Sequence, residues 1–135
     1  MSTPAHAPTL VTVRPQAAVQ TLQRLPNFVG ISRQTAGAEG ISMNLVVIPP
    51  GGRAEPHFHA GYETAIYMLQ GRVETRFGPG LRESVVNEQG DFLYIPAGLP
   101  HQPINLSATE SALAIVSRNV ANEQETVVAY DPAAL

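Results

Sequence analysis

Short apolar runs broken by glycine and proline dominate this 135-residue chain and leave few folds open to it. From Phe28 onward, runs of five to eight residues are either apolar or alternate between apolar and polar. The runs are FVGISRQ, ISMNLVVI, ETAIYML, RVETRF, ESVVN, DFLYI, PINLS, SALAIVS and ETVVAY. Between them stand segments such as PPGG, GPG and PAGLP, in which glycine supplies positive φ angles and proline presets turns. This pattern predicts nine short strands packed as a sandwich or a small barrel.

The N-terminal part of the chain departs from this pattern. Residues 1–8 are rich in proline and alanine without periodicity, so we expect a flexible tail followed by a single domain over residues 9–135. The run TLVTV at residues 9–13 predicts a further short strand. The segment QAAVQTLQRLPN allows one or two helical turns before Pro26 ends them.

Composition excludes several classes of function. The chain has no cysteine, so disulfides and thiolate sites are excluded and any metal must be held by nitrogen and oxygen. A net charge of −3, with only eight lysines and arginines, gives no basic surface for nucleic acid. The apolar runs are too short to span a bilayer, and the first residues lack the pattern of a secretory signal. We expect a soluble, cytoplasmic protein with no nucleic-acid or membrane partner.

The segment EPHFHAGYE places two of the four histidines one residue apart. Residues i and i+2 of a strand point the same way, so His57 and His59 present two imidazoles to one side of a sheet. Glu63 follows four residues later and would complete the nitrogen and oxygen set favoured by Mn, Fe, Ni or Zn. A histidine pair of this spacing also occurs by coincidence on surfaces and in cores.

A third histidine lies in GDFLYIPAGLPHQPIN, residues 90–105. A strand from Asp91 to Ile95 leads into a Pro-Ala-Gly turn, and the next strand starts near His101. The chain therefore returns so that His101 can face the same interior as the histidine pair. An ordinary core histidine would show the same local pattern.

Both segments resemble the two sequence motifs of the cupin superfamily. Gly90, five residues, Pro96, one residue, Gly98, two residues, His101, three residues and Asn105 fit the second motif without a gap. Gly51, five residues, His57, Phe58, His59, three residues and Glu63 fit most of the first motif. Together the motifs and the segment between them span residues 51–105.

The resemblance implies an all-β fold, a double-stranded β-helix or jelly roll with a short N-terminal extension, as in small single-domain RmlC-like cupins. It also implies a divalent transition metal, one of Fe, Mn, Ni or Zn, and a homodimer. Turn glycines and a structural asparagine are implied at Gly51, Gly71, Gly90, Gly98 and Asn105. The implied metal ligands are His57, His59, Glu63 and His101.

The spacing after Glu63 departs from the cupin pattern. Six residues separate the acid from the closing glycine in the family, but seven separate Glu63 from Gly71. Counted back from Gly71, the ligand position falls on Thr64, a poor metal ligand. A β-bulge would turn Glu63 inward, whereas a strand that is regular from Thr64 would turn Ile66 and Met68 inward and leave a three-histidine site.

An open site of this kind suggests a metal-dependent enzyme that acts on a small oxygenated organic molecule. Dioxygenase chemistry is the first interpretation, and isomerisation, epimerisation or decarboxylation is the second. A barrel that binds a small ligand without turnover, or a purely structural metal, would also fit these residues. Arg53 could face an anionic substrate, although such a residue beside a Gly-Gly turn is usually exposed. The candidate pocket wall consists of Phe58, Tyr67, Met68, Phe92, Leu93 and Tyr94, each of which could equally be core.

Overall fold

The computed structural model describes residues 8–14, 19–20, 25–122 and 127–133, and close to half of these form β-strands. The strands are β1 (Val19–Gln20), β2 (Pro26–Ile31), β3 (Ser42–Ile48), β4 (His57–His59), β5 (Thr64–Gln70), β6 (Arg72–Phe77), β7 (Glu83–Glu88), β8 (Phe92–Ile95), β9 (His101–Asn105), β10 (Ala112–Arg118) and β11 (Val127–Ala129). One short helix, α1 (Arg33–Ala36), and a 3-10 turn at Pro79–Leu81 interrupt them. No helix in these ranges is both long and apolar enough to cross a bilayer.

The strands form two antiparallel sheets that face each other. The six-stranded sheet has the order β1-β2-β3-β10-β5-β8, and the five-stranded sheet has the order β11-β4-β9-β6-β7. Strands distant in sequence are neighbours in both sheets, since β10 lies between β3 and β5 while β9 lies between β4 and β6. This double-stranded β-helix confirms the predicted all-β jelly roll.

Each of the nine predicted runs from Phe28 onward contains a strand, and inward and outward side chains alternate in β3, β6 and β10. In β6, Val73 and Thr75 are buried while Arg72 and Arg76 are exposed, as a period of two requires. The run FVGISRQ is a strand only as far as Ile31. The chain then enters α1 because Ser32 is an N-cap: its Oγ accepts from the Thr35 amide at 3.2 Å, and Thr35 Oγ1 accepts from the Ser32 amide at 2.9 Å.

The N-terminal predictions are tested only in part. Residues 9–13 have no regular structure, so the predicted strand there is wrong. Val19–Gln20 is a strand paired with β2, within the segment where helical turns were predicted. Residues 15–18 and 21–24, with most of that segment, and residues 1–7 of the predicted tail lie outside the described residues.

The core lies between the two sheets and leaves a space at its centre. The inward row of β10 begins with Ala112, Ala114 and Val116, all of them buried. Small side chains on this central strand do not fill the interior that larger residues of neighbouring strands enclose. The other buried residues packed in the same cluster are Leu25, Val46, Ile48, Ala54, Met68 and Val73.

Two residues implied by the family motifs hold the connections between strands. Gly71 joins β5 to β6 with φ of +89°, and an added Cβ would lie 3.0 Å from both Cα and Cβ of Ala112. The buried Asn105 amide donates to the carbonyls of Ile48, Pro49 and Glu110 at 3.0, 3.1 and 2.8 Å. Asn105 therefore ties β9 to the end of β3 and to the loop before β10.

Candidate metal centre

Three buried histidines converge on one point inside the barrel. His57 and His59 occupy alternate positions of β4, and His101 at the start of β9 is the register partner of His57. The ring centroids are separated by 4.4 to 5.0 Å. One nitrogen of each ring lies within 4.8 Å of a nitrogen of each of the other two rings. The structure thus brings together the three histidines singled out by the sequence motifs.

Backbone hydrogen bonds orient two of these rings. Nδ1 of His57 lies 2.6 Å from the carbonyl oxygen of Glu55, and Nδ1 of His101 lies 2.9 Å from that of Leu99. A carbonyl can only accept, so Nδ1 carries the proton in both rings. Nε2 is therefore left with a lone pair, which is the form that binds a metal.

The third ring is oriented by the hydroxyl group of a tyrosine. The hydroxyl of the buried Tyr62 lies 2.9 Å from Nδ1 of His59, and its ring is tilted against the imidazole. Donation from Nδ1 to this hydroxyl would leave Nε2 of His59 as a ligand. Sequence reasoning did not single out Tyr62. A period of two counted back from Met68, Ile66 and Thr64 would have placed it on the inner face.

Burial keeps His57 and His59 neutral. Desolvation lowers the pKa of His57; the hydrogen bond to Glu55 opposes this effect only in part, and the nearby charge of Arg118 lowers the pKa further. Desolvation also lowers the pKa of His59 to about 2, aided by His101, His57 and Arg118. A divalent ion would therefore meet neutral imidazoles and need displace no proton from the Nε2 atoms of His57 or His59 near neutral pH.

The fourth expected ligand, Glu63, lies outside this centre. Its side chain is exposed, where Oε1 accepts from the Tyr94 hydroxyl at 2.6 Å and Oε2 accepts from the Asn119 amide at 3.3 Å. The hydrogen bond to Glu63 raises the pKa of Tyr94. The expectation that Glu63 completes the ligand set is therefore corrected to a three-histidine site.

The reason for this correction is the register of β5. Thr64, Ile66 and Met68 point inward, so Glu63 and Tyr67 point outward. The strand does contain a register shift against β10, but the extra residue is Leu69, since Leu113 pairs with Gln70 and Ala114 pairs with Met68. A bulge at that place cannot turn Glu63 inward, and Thr64 occupies the position that the motif gives to the acid.

The alternation of inward and outward side chains also determines which residues of the expected pocket wall line the cavity. Met68 and Leu93 line the cavity beside the histidines. Phe58 lies between the two histidines on β4 and therefore faces the opposite side. Tyr67 and Phe92 are corrected to outer-face residues, with Phe92 81% exposed and packed against Tyr67. Tyr94 does not line this cavity, but it borders a second cavity that His101 also lines. The residues next to these aromatics in the strands, Met68 and Leu93, point into the barrel instead.

The cavity beside the histidines has a volume of about 70 Å³. Its polar lining residues in the described part of the chain are His57, His59, His101, Thr64, Thr75, Asn87 and Arg118, and its other lining residues are apolar. Arg118 was not anticipated, and Arg53 is exposed, as is usual for a residue beside a Gly-Gly turn. The signal for Arg118 was its place at the end of the alternating run SALAIVSR, in phase with Val116.

These residues fit a first-row divalent ion. Three imidazole nitrogen donors, held from behind by hydrogen bonds and facing a cavity, are a donor set shared by Fe, Mn, Ni and Zn. Because only three described residues converge there, coordination positions on the cavity side would stay open to a ligand.

Comparisons with known proteins agree with this architecture. The family model of the cupin domain matches residues 44–117, more than half of the chain, and the chain therefore belongs to the cupin family. It is 35% identical over 101 residues to germin-like protein subfamily T member 3 of Arabidopsis thaliana. That alignment covers 70% of this chain and only 44% of the plant protein.

Two solved structures share the fold. An oxalate decarboxylase of Lactobacillus farciminis, in complex with formate, superposes with a TM-score of 0.70 at 20% identity over 83% of this chain and 32% of that one. A recombinant oxalate oxidase in complex with glycolate superposes with a TM-score of 0.67 at 27% identity. It aligns over 84% of this chain and 59% of its own.

Proposed function

We propose that this cupin is a metal-dependent enzyme that acts on a small oxygenated organic molecule by dioxygenase-type chemistry. The observation that carries the proposal is the arrangement of His57, His59 and His101, whose ligand nitrogens lie within 4.8 Å of one another beside a cavity of about 70 Å³. A closed structural site would not need such a cavity.

The cavity limits the size of the substrate. A water molecule needs about 10 to 15 Å³ of such space, so the cavity accommodates roughly five waters or a ligand of about that many non-hydrogen atoms. Its walls are mostly apolar, with Ile66, Met68 and Val116 among them. These side chains exclude bulk water, so the polar contacts available to a ligand lie at one end of the cavity.

A bound divalent ion would supply Lewis acidity and, if it is iron or manganese, a centre that can react with dioxygen. The protein's part is to hold the three imidazoles in a fixed orientation. Hydrogen bonds from behind fix His57 and His101, and Tyr62 holds His59. Thr64 and Arg118 line the same cavity as the three histidines and would orient a ligand there.

The residues that line the cavity also argue against isomerisation and epimerisation. Both reactions require a side chain that removes a proton from carbon. The described residues that line the cavity include no carboxylate and no tyrosine, and the histidines are assigned to the metal. This lack of a general base among the described lining residues favours oxygen chemistry over proton transfer.

The test is elemental analysis of protein purified without added metal, followed by dioxygen uptake on the iron-loaded and manganese-loaded forms. Small hydroxy acids and oxo acids, which match the size of the cavity, are the substrates to screen. Stoichiometric metal with substrate-dependent uptake supports the proposal. Stoichiometric metal with carbon dioxide release and no uptake points to decarboxylation, and protein without metal affinity points to a binding barrel.

We further propose that the protein is a cytoplasmic homodimer. The support is the resemblance to small cupins, together with the exposed aromatic side chains of Phe92 and Tyr94 on edge strand β8. Light scattering on the purified protein measures the mass. A monomeric mass at micromolar concentration would contradict the dimer.

A further inference from the structure

Arg118 is the buried cation of the barrel. Among the described arginines it alone is buried, with 8% of its surface exposed, and it ends the inward row of β10. Its side chain lines the same cavity as the three histidines. The positions before it on that row, Ala112, Ala114 and Val116, are apolar. The cation therefore stands at the end of the barrel where the histidines converge.

Thr64 lies directly across from Arg118. The two residues are register partners on β5 and β10, so their side chains project to the same face. Thr64 is only 2% exposed, and its Oγ1 is buried without a hydrogen-bond partner among the described residues. A buried hydroxyl without a partner is unfavourable, and a polar ligand in the cavity would satisfy it.

The described lining of the cavity is positive in charge. It contains the guanidinium of Arg118, and none of its described residues is a carboxylate. A divalent ion would add two further positive charges. A ligand that enters this space with a negative charge would be attracted by both centres.

From this placement we infer that Arg118 and Thr64 form a carboxylate subsite beside the three histidines, and that the substrate is a small carboxylate anion. The guanidinium donates two hydrogen bonds to the carboxylate, and the Thr64 hydroxyl donates a third. The opposite end of the ligand, a hydroxyl or oxo oxygen, faces the histidines. This inference rests on the metal site of the proposed function but assigns the substrate class to different residues.

The experiment compares two ligands of equal size, glycolate and its neutral amide, glycolamide. Protein loaded with Co(II) is titrated with each ligand, and the change in its visible absorption gives the two dissociation constants. We expect the wild-type protein to prefer glycolate. Replacing Arg118→Met should weaken glycolate binding by about 10- to 100-fold and leave glycolamide binding nearly unchanged.

Three further variants sharpen the result. Arg118→Lys keeps the charge but not the paired donors, so it should retain part of the preference. Thr64→Val keeps the shape and removes the hydroxyl, so it should weaken glycolate binding several-fold without altering metal content. Arg53→Met removes an exposed arginine and should leave both dissociation constants unchanged.

The outcomes separate the inference from the metal site. If Arg118→Met binds Co(II) normally and keeps the full preference for glycolate, the carboxylate subsite is wrong and the metal site stands. If the wild-type protein binds no metal, glycolate binding is measured by calorimetry on the metal-free wild type and Arg118→Met. Binding that is lost in Arg118→Met supports the subsite. Binding that is absent from the wild type, or equal in both proteins, overturns it. If Arg118→Met does not fold, Arg118→Lys and Thr64→Val give the same test.

Discussion

The hydroxyl of Tyr62 lies 2.9 Å from Nδ1 of His59, so a hydrogen bond occupies this ring nitrogen and leaves Nε2 for a metal. Tyr62 follows His59 by three positions in the chain, and both side chains are buried. Tyr62 therefore belongs to the metal centre without being a ligand, since it fixes the ring through which His59 would bind.

Replacing Tyr62→Phe should lower metal affinity by about 10- to 100-fold, because partners behind a ligating histidine set its orientation and basicity. Competition with a chelator of known affinity measures the change. The matched control is Tyr130→Phe, which removes a hydroxyl that accepts from the Gly80 amide at 2.8 Å. Equal affinities in the wild type and Tyr62→Phe would contradict this role.

The ligand set predicts opposite results for two substitutions. His101→Gln should abolish stoichiometric metal binding, because it removes one of three donors. Glu63→Gln should retain the metal fully, since Glu63 is exposed and hydrogen-bonded to Tyr94 and Asn119. Elemental analysis of the two purified variants gives the answer. Metal lost from Glu63→Gln would restore the four-ligand site.

Introducing a carboxylate at Thr64 tests the register of β5. Thr64→Glu should place an acid beside the histidines and tighten divalent metal binding about tenfold or more, since a buried charge pair readily exceeds the roughly 1.4 kcal/mol required. Thr64→Gln is the uncharged control. Metal affinities are measured by competition with a chelator. Equal affinities in both variants and the wild type would show that position 64 does not face the metal.

Asn105 should be a stability residue. Its amide serves three carbonyls, and its Oδ1 accepts from the Ser107 amide at 2.9 Å. Asn105→Ala leaves these groups without partners and should lower the free energy of unfolding by about 3 kcal/mol. Urea denaturation measures it, and the exposed Asn119→Ala should lose less than about 1 kcal/mol. Similar losses in both variants would remove the special role of Asn105.

The metal-free protein should lose stability as the pH falls below about 6.5, the pKa of an unfolded histidine. The folded pKa of His57 is lowered and that of His59 is about 2, so the unfolded chain binds more protons throughout the range between these values. Each histidine should contribute up to about 1.4 kcal/mol per pH unit. Urea denaturation from about pH 7.5 to 4.5 tests this expectation, and a flat profile would contradict it. His59→Gln should show a shallower slope.

The strand pattern and the three histidines could be predicted without the fold. Glycine and proline set turns locally, and a period of two puts His57 and His59 on one face whatever the rest of the chain does. The second motif placed His101 on a strand that follows a turn, and the structure brings it beside His57. These features depend on a few neighbouring residues, so they are visible in the order of the amino acids.

Which face of β5 points inward depends instead on tertiary contacts. The run ETAIYML carries apolar residues on both faces, so its composition does not choose between Glu63 and Thr64 as the inward residue. A shift of one residue exchanges the two faces, and pairing of β5 with β8 and β10 selects one of them. The same choice put Tyr62 behind His59 and turned Tyr67 outward.

The place of Arg118 beside the histidines could be found only from the fold, for a different reason. It lies outside both motifs in sequence, and it approaches the histidines only because β10 is inserted between β3 and β5. The sequence therefore supplied the metal ligands, whose spacing is local. The packing of the two sheets supplied the charge and the hydroxyl that face them, because the contacts that set these positions join residues distant in the chain.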